Sequence, residues 1–127
     1  MNTKDKIELS LQIVEKVSEV NEVLKQTKKE GFTIDWRTEG IGNSNSLLYI
    51  YLVQKVIYAD TEENFIEDES IDIDKTLPAR LIIEKLNEKQ DELNELVKRA
   101  NNMNLFVHYT GINPMHVNIS ETIVHTN

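Results

Sequence analysis

Gly31-Phe32-Thr33-Ile34-Asp35-Trp36-Arg37 (GFTIDWR, residues 31–37) is the stretch at which the chain changes period. Before it, Ile13, Val17, Val20 and Leu24 recur at the three-and-four spacing of one helical face. Within it, Phe32, Ile34 and Trp36 alternate with Thr33, Asp35 and Arg37, the two-residue period of a half-buried strand. Gly31 sits between the two patterns, where a helix ends most readily because glycine accepts a left-handed backbone. A helix from a Thr3 cap to about Lys29, followed by a strand, is the expected opening of the fold. Ile7, Leu9, Leu11 and Ile13 blur its start, since they also alternate as a strand would.

Downstream, Glu39 to Ser46 (EGIGNSNS) reads as a loop from its Gly, Asn and Ser content. Leu47 to Tyr58 is rich in Tyr, Ile, Val and Leu and reads as a long strand, with a short buried helix as the alternative. An acidic segment follows, with an edge strand expected at Ser70–Ile73. Asp74 or Thr76 is placed to cap a second helix, with Pro78 in its first turn, where a missing N–H costs least. Ile82, Leu86, Leu93, Val97 and Ala100 supply that helix's apolar face, broken by Gln90, and Asn101 and Asn102 close it. Leu105, Val107 and Tyr109 then form a strand, Gly111-Ile112-Asn113-Pro114 turns, and Met115, Val117 and Ile119 return.

The two halves resemble each other. Ile13-Val14-Glu15-Lys16-Val17-Ser18-Glu19 aligns with Ile82-Ile83-Glu84-Lys85-Leu86-Asn87-Glu88. Phe32–Trp36 then lies opposite Leu105–Tyr109, and Gly40-Ile41 opposite Gly111-Ile112. The expectation is one domain over residues 1–127, with a helix-strand-strand unit repeated at 4–59 and 76–125 and joined by 60–75. The alternative is chance similarity in a chain rich in Glu, Lys and Ile. The fold class expected is α+β, a two-layer sandwich in which a mostly antiparallel sheet carries two helices on one face.

Charge is distributed unevenly. Of 22 acids and 14 bases, with a net charge of -8, the stretch 60–74 holds Asp60, Glu62, Glu63, Glu67, Asp68, Glu69, Asp72 and Asp74 with no Lys or Arg. Those acids account for the whole surplus, so the remainder is balanced. Nucleic acid and anionic membranes are disfavoured as direct partners, because both need a clustered positive field. The segment is too dilute to imitate a nucleic acid alone: about one charge per 6 Å of extended chain, against ~1.7 Å along duplex DNA. Glu15, Glu19 and Glu22 form a further acidic stripe at helical spacing, repeated by Glu84, Glu88 and Asp91, with Lys16, Lys85 and Lys89 among them.

No apolar run approaches the ~20 residues of a membrane-spanning helix, the N-terminus has no signal-peptide core, and cysteine is absent. A cytoplasmic, soluble protein is the expectation. Abundant Ile, Asn, Lys and Glu beside three alanines fits an AT-rich genome, such as a low-GC bacterium, its phages or another mobile element.

The chemistry-bearing motifs are few. Pairing the last hairpin with Val107 facing Val117 would set His108 across from His116, about 5 Å apart at Cβ. They are weak metal candidates, with Glu121 or His125 as a third ligand, because no zinc-type spacing accompanies them. A response to pH is as reasonable a use for the pair. Gly40-Ile41-Gly42 is no phosphate cradle, since β-prone residues follow it rather than a helix N-terminus. The acidic segment lacks the glycine that a calcium loop needs at its sharp turn. No cofactor is expected.

A contact surface is better supported. With Leu48, Ile50 and Leu52 facing the helices, Leu47, Tyr49, Tyr51 and Val53 face outward, unless Phe65 and Ile66 fold over them. Asp35 and Arg37 belong on the same side of the neighbouring strand. The function class expected is therefore non-enzymatic protein binding: an acidic inhibitor, decoy or immunity-type module docking on a basic or nucleic-acid-handling protein. The acids would steer encounter and Asp35, Arg37, Tyr49 and Tyr51 would adhere. The same face also suits a homodimer. The runner-up is an oligomer that sequesters a small ligand, and a small enzyme ranks third.

Overall fold

A computed structural model describes residues 3–53, 61, 77–112 and 114–125. The element order is α1 (Thr3–Lys29), β1 (Thr33–Gly42), β2 (Asn45–Val53), α2 (Leu77–Asn102), β3 (Phe106–Thr110) and β4 (His116–Ser120). The protein is α+β, with two helices packed together and two antiparallel hairpins. Helix–strand–strand occurs twice in that order. The expected capping residues of α2, the strand at 70–73, the end of the long strand at 54–58 and Phe65 and Ile66 all lie outside the described residues.

The helices form where their apolar faces predict. Ile13, Val17, Val20 and Leu24 of α1 meet Ile82, Leu86, Leu93 and Val97 of α2 in one core cluster, all buried. Each such aliphatic side chain favours the folded state by about 1.5–3 kcal/mol relative to exposure. Both helices stop in the same manner. Phe32 N–H donates to Thr27 C=O (3.1 Å) around Gly31 at φ 79°, and Leu105 N–H donates to Ala100 C=O (3.0 Å) around Asn104 at φ 59°. These are left-handed caps, with asparagine standing in for glycine in the second.

One expectation is corrected. Glu39–Ser46 is not a loop: β1 runs to Gly42, β2 starts at Asn45, and Asn43 and Ser44 alone make the turn. Both have positive φ (49° and 62°), the conformation whose twist matches a two-residue hairpin. A bulge between Gly40 and Gly42 absorbs the odd residue, so glycine content that suggested a loop serves a bend within the strand. The antiparallel α+β arrangement is as expected, consistent with a sandwich, and among the described residues its strands are divided between two sheets, β1–β2 and β3–β4.

What joins the hairpins is a side chain. Buried Asn45, at the start of β2, accepts a hydrogen bond from Val107 N–H (2.7 Å) and donates to Leu105 C=O (2.8 Å). Its amide thus does along the edge of β3 what a neighbouring strand's peptide would do. Asn21 of α1 treats Met115 alike, accepting from its N–H (2.7 Å) and donating to its C=O (2.8 Å). Asn94 of α2 does so at Leu48 (2.9 and 2.8 Å), and Gln90 accepts from Ile50 N–H (2.6 Å). Gln90, the polar break in the α2 face, is therefore a buried partner for strand backbone. Such partners matter because an unpaired buried N–H or C=O costs ~1–3 kcal/mol.

Candidate binding surface

The β1–β2 hairpin has two unlike edges, and the hydrogen bonds of Leu48 and Ile50 show why. Their backbone groups turn towards Asn94 and Gln90, so the edge of β2 is sealed by α2. Leu48 pairs with Thr38 and Ile50 with Trp36. In an antiparallel ladder both members of such a pair direct their N–H and C=O away from each other. The backbone groups of Trp36 and Thr38 consequently point to the far edge of β1. Among the described residues no backbone hydrogen bond reaches that edge. Trp36 N–H is taken instead by its neighbour's carboxylate, Asp35 Oδ1, at 2.8 Å.

The faces differ as well. Leu48 and Ile50 are buried towards the helices, at 1% and 3% exposure. Trp36 shares their side of the sheet yet is 48% exposed, because the helices reach β2 and leave β1 projecting. On the opposite face Arg37 pairs with Tyr49 and Asp35 with Tyr51. The Arg37 guanidinium lies over the Tyr49 ring at 4.3 Å from its centre, and Tyr51 beside it is 37% exposed. Asp35, Arg37, Tyr49 and Tyr51 are thus gathered on one side, as their strand positions require.

The other candidates fare differently. The acidic residues Asp60, Glu62, Glu63, Glu67, Asp68, Glu69, Asp72 and Asp74 all lie outside the described residues. In the second hairpin Val107 pairs with Ile119, not Val117, which sets His108 across from Asn118 and His116 across from Thr110. The expected register is off by two, so the histidines keep a common exposed face but are diagonal rather than opposed. His108 stacks on Phe106, with ring centres 6.1 Å apart. Glu121 is ion-paired with Lys6. Among the described residues no group of three or more His, Asp or Glu side chains is arranged to hold a metal.

The acidic stripes are partly neutralised within the fold. Glu19 pairs with both Lys16 and Lys89 at 2.9 Å, and Lys16 also pairs with Glu92, which ties α1 to α2. Lys89, then Lys16, hold the Glu19 carboxyl below its usual range. Glu92 and Glu19 raise Lys16, and Glu19 raises Lys89. Glu19 therefore belongs to a seam between the helices, while Glu15, Glu22, Glu84, Glu88 and Asp91 of the stripes are exposed.

A cavity of about 170 Å³ opens between the two hairpins, lined by Trp36, Thr38, Ser46, Leu48, His108 and Tyr109 among others. The Tyr109 hydroxyl is buried without a hydrogen-bond partner among the described residues, and desolvation raises its pKa. In the sequence alone Tyr109 is one apolar position of a strand. Its place beside a cavity depends on how the hairpins meet, which no local pattern encodes.

Comparison with protein-family models, curated proteins and solved structures yields no match. No helix of the described residues is long and apolar enough to cross a membrane.

Proposed function

We propose that this chain is a non-enzymatic protein-binding module whose adhesive patch is the outer face of the β1–β2 hairpin. The observation that carries the reading is the Arg37–Tyr49 stack beside exposed Tyr51 and Asp35, on strands whose opposite face is anchored in the core. Arginine and tyrosine are enriched where proteins meet, since each offers large contact area with a polar handle. Anchoring by Asn94 and Gln90 keeps the patch in place before a partner arrives, which lowers the ordering cost of binding. The eight acids between Asp60 and Asp74 extend the proposal to a partner with a basic surface, such as a nucleic-acid-handling protein. An inhibitor, decoy or immunity-type role in the cytoplasm fits that pairing, and the amino-acid usage fits a phage or mobile-element origin.

The test is capture from the host with three proteins: the wild type, Tyr49→Ser/Tyr51→Ser, and Glu67→Gln/Asp68→Asn/Glu69→Gln/Asp72→Asn. The tyrosine variant is expected to lose a partner that the wild type retains. The acid-neutralised variant is expected to bind more slowly and with less dependence on salt. A partner held equally by all three refutes the reading.

A second reading, an oligomer that sequesters a small ligand, is favoured by the cavity beside Tyr109. A molecule of about benzene size fits such a volume. Native mass spectrometry of the freshly purified chain tests it, through a mass increment that is lost on denaturation.

A further inference from the structure

We propose that a second copy of this chain pairs with the open edge of β1, antiparallel about a twofold axis at Trp36, giving a four-stranded sheet β2–β1–β1–β2. The proposal does not rest on the identity of any other partner, and it uses the strand edge together with Asp35 and Arg37 but neither Tyr49 nor Tyr51.

Three observations select the edge and the register. The first is the direction of the backbone. Trp36 and Thr38 lie opposite Ile50 and Leu48, whose own backbone groups turn to α2, so the donors and acceptors of Trp36 and Thr38 face away from β2. A row with no backbone partner among the described residues is a template for another strand. A twofold axis at Trp36 lets the two Trp36 residues exchange both hydrogen bonds, with Ile34 pairing to Thr38 on either side. An axis at Arg37 or at Asp35 would leave that residue in a non-hydrogen-bonded pair with its own copy, setting two like charges directly opposite each other, which disfavours both registers.

The second observation is charge. Asp35, Arg37 and Glu39 alternate in sign along one face of β1. Centring on Trp36 sets each Asp35 opposite the other copy's Arg37, forming two cross-strand ion pairs at positions where Cα atoms approach to about 4.5 Å. Centring on Ile34 would leave Arg37 facing Gly31. Centring on Thr38 would also pair charges, through Arg37 and Glu39, but would carry the ladder into the bulge between Gly40 and Gly42. Such exposed pairs add little affinity, so their role is to specify register.

The third is the state of Trp36 in the single chain. Its side chain is 48% exposed, and its N–H is occupied by Asp35 Oδ1 at 2.8 Å. Pairing hands that N–H to a peptide carbonyl, frees the carboxylate for the opposing Arg37, and covers one indole with the other. Asp35 thus guards the edge in the monomer and locks it in the dimer.

The chain contains no cysteine, which makes single-cysteine cross-linking unambiguous. At a twofold axis on Trp36, two Cα atoms of that position lie about 5.5 Å apart, within the span of a disulfide. Two Thr38 positions would lie about 13 Å apart. Trp36→Cys is expected to oxidise to a covalent dimer and Thr38→Cys to remain monomeric. Equal or preferential cross-linking through Thr38→Cys overturns the register.

Because Trp36→Cys removes the indole, sedimentation of charge variants gives an independent arm. Wild type is expected to show a monomer–dimer equilibrium, Asp35→Arg to weaken it at least tenfold, and Asp35→Arg/Arg37→Asp to restore it. A wild type that stays monomeric at its highest soluble concentration, or an Asp35→Arg variant that dimerises as well as wild type, overturns the proposal.

Discussion

Replacing Asn94 with aspartate changes one atom of a side chain that holds β2 against α2. Asn94 is buried, its Oδ1 accepts from Leu48 N–H at 2.9 Å, and its Nδ2 donates to Leu48 C=O at 2.8 Å. An ionised carboxylate keeps the first bond but aims a second oxygen at a carbonyl. The donor is lost, Leu48 C=O is left unpaired, and a charge is held with little solvent. An unpaired buried group costs ~1–3 kcal/mol, and more where a charge is involved. A loss of roughly 2–4 kcal/mol at pH 7 follows for Asn94→Asp, or on the order of 10 °C in Tm for a chain of this size.

The sign of its pH dependence follows from the same contact. The protonated carboxyl can donate to Leu48 C=O and restore both bonds, so burial and the carbonyl raise its folded pKa above the unfolded ~3.9. Stability relative to wild type is then greatest below the unfolded pKa and is lost as pH rises through the folded one. Urea unfolding followed by circular dichroism, at pH values from about 4 to 8, reads both quantities as a midpoint shift at constant slope. A variant within ~0.5 kcal/mol of wild type at pH 7, or one with a deficit that grows on acidification, refutes the assignment of Asn94 as a backbone clamp.

Two further outcomes are expected. Tyr109→Phe removes a buried hydroxyl that has no partner among the described residues, so stability should be unchanged or rise by about 1 kcal/mol, read from the urea midpoint. In ultraviolet titration of the wild type, Tyr109 should ionise above the usual tyrosine range; its raised folded pKa means stability falls as pH rises past the unfolded value near 10. The depressed Glu19 carboxyl favours folding above its unfolded pKa, and that contribution is lost as pH falls through its lower folded value. Glu19→Gln should flatten the acid limb of the stability profile, with a smaller difference at high salt.

The parts of the fold legible in the sequence are those set by period. The apolar positions of both helices, the alternation around Ile34 and Ile50, and the positive-φ cap at Gly31 each follow from local spacing. Hairpin two was misaligned by two residues because its turn length, not its pattern, determines register. The histidines still shared a face, since an even slip preserves which side each residue occupies. The loop expected at 39–46 failed for a different reason. Glycine, asparagine and serine satisfy a bulge and a two-residue turn as well as they satisfy a loop, and only pairing partners distinguish the cases.

Least legible were the amides. Asn21, Asn45, Asn94 and Gln90 resemble any polar residue of an asparagine-rich chain, and their role depends on backbone brought from forty or more residues away. Gln90 alone left a trace, as a polar break in an apolar face. That Asp35, Arg37, Tyr49 and Tyr51 share one face was visible because they obey strand alternation. The exposure of Trp36 was not, because it depends on how far the helices extend over β1. The pairing of Glu19 was only half visible for a related reason: its lysines lie on two helices, and only Lys16 is near in sequence.

Amide hydrogen exchange tests most directly the claim that α2 seals one edge of the hairpin and leaves the other open. In dilute protein, Leu48 and Ile50 amides should be strongly protected while Ile34 and Thr38 exchange almost freely, with those two slowing as concentration rises. Protection of Ile34 and Thr38 at every dilution, or exchange of Leu48 as fast as theirs, would contradict it.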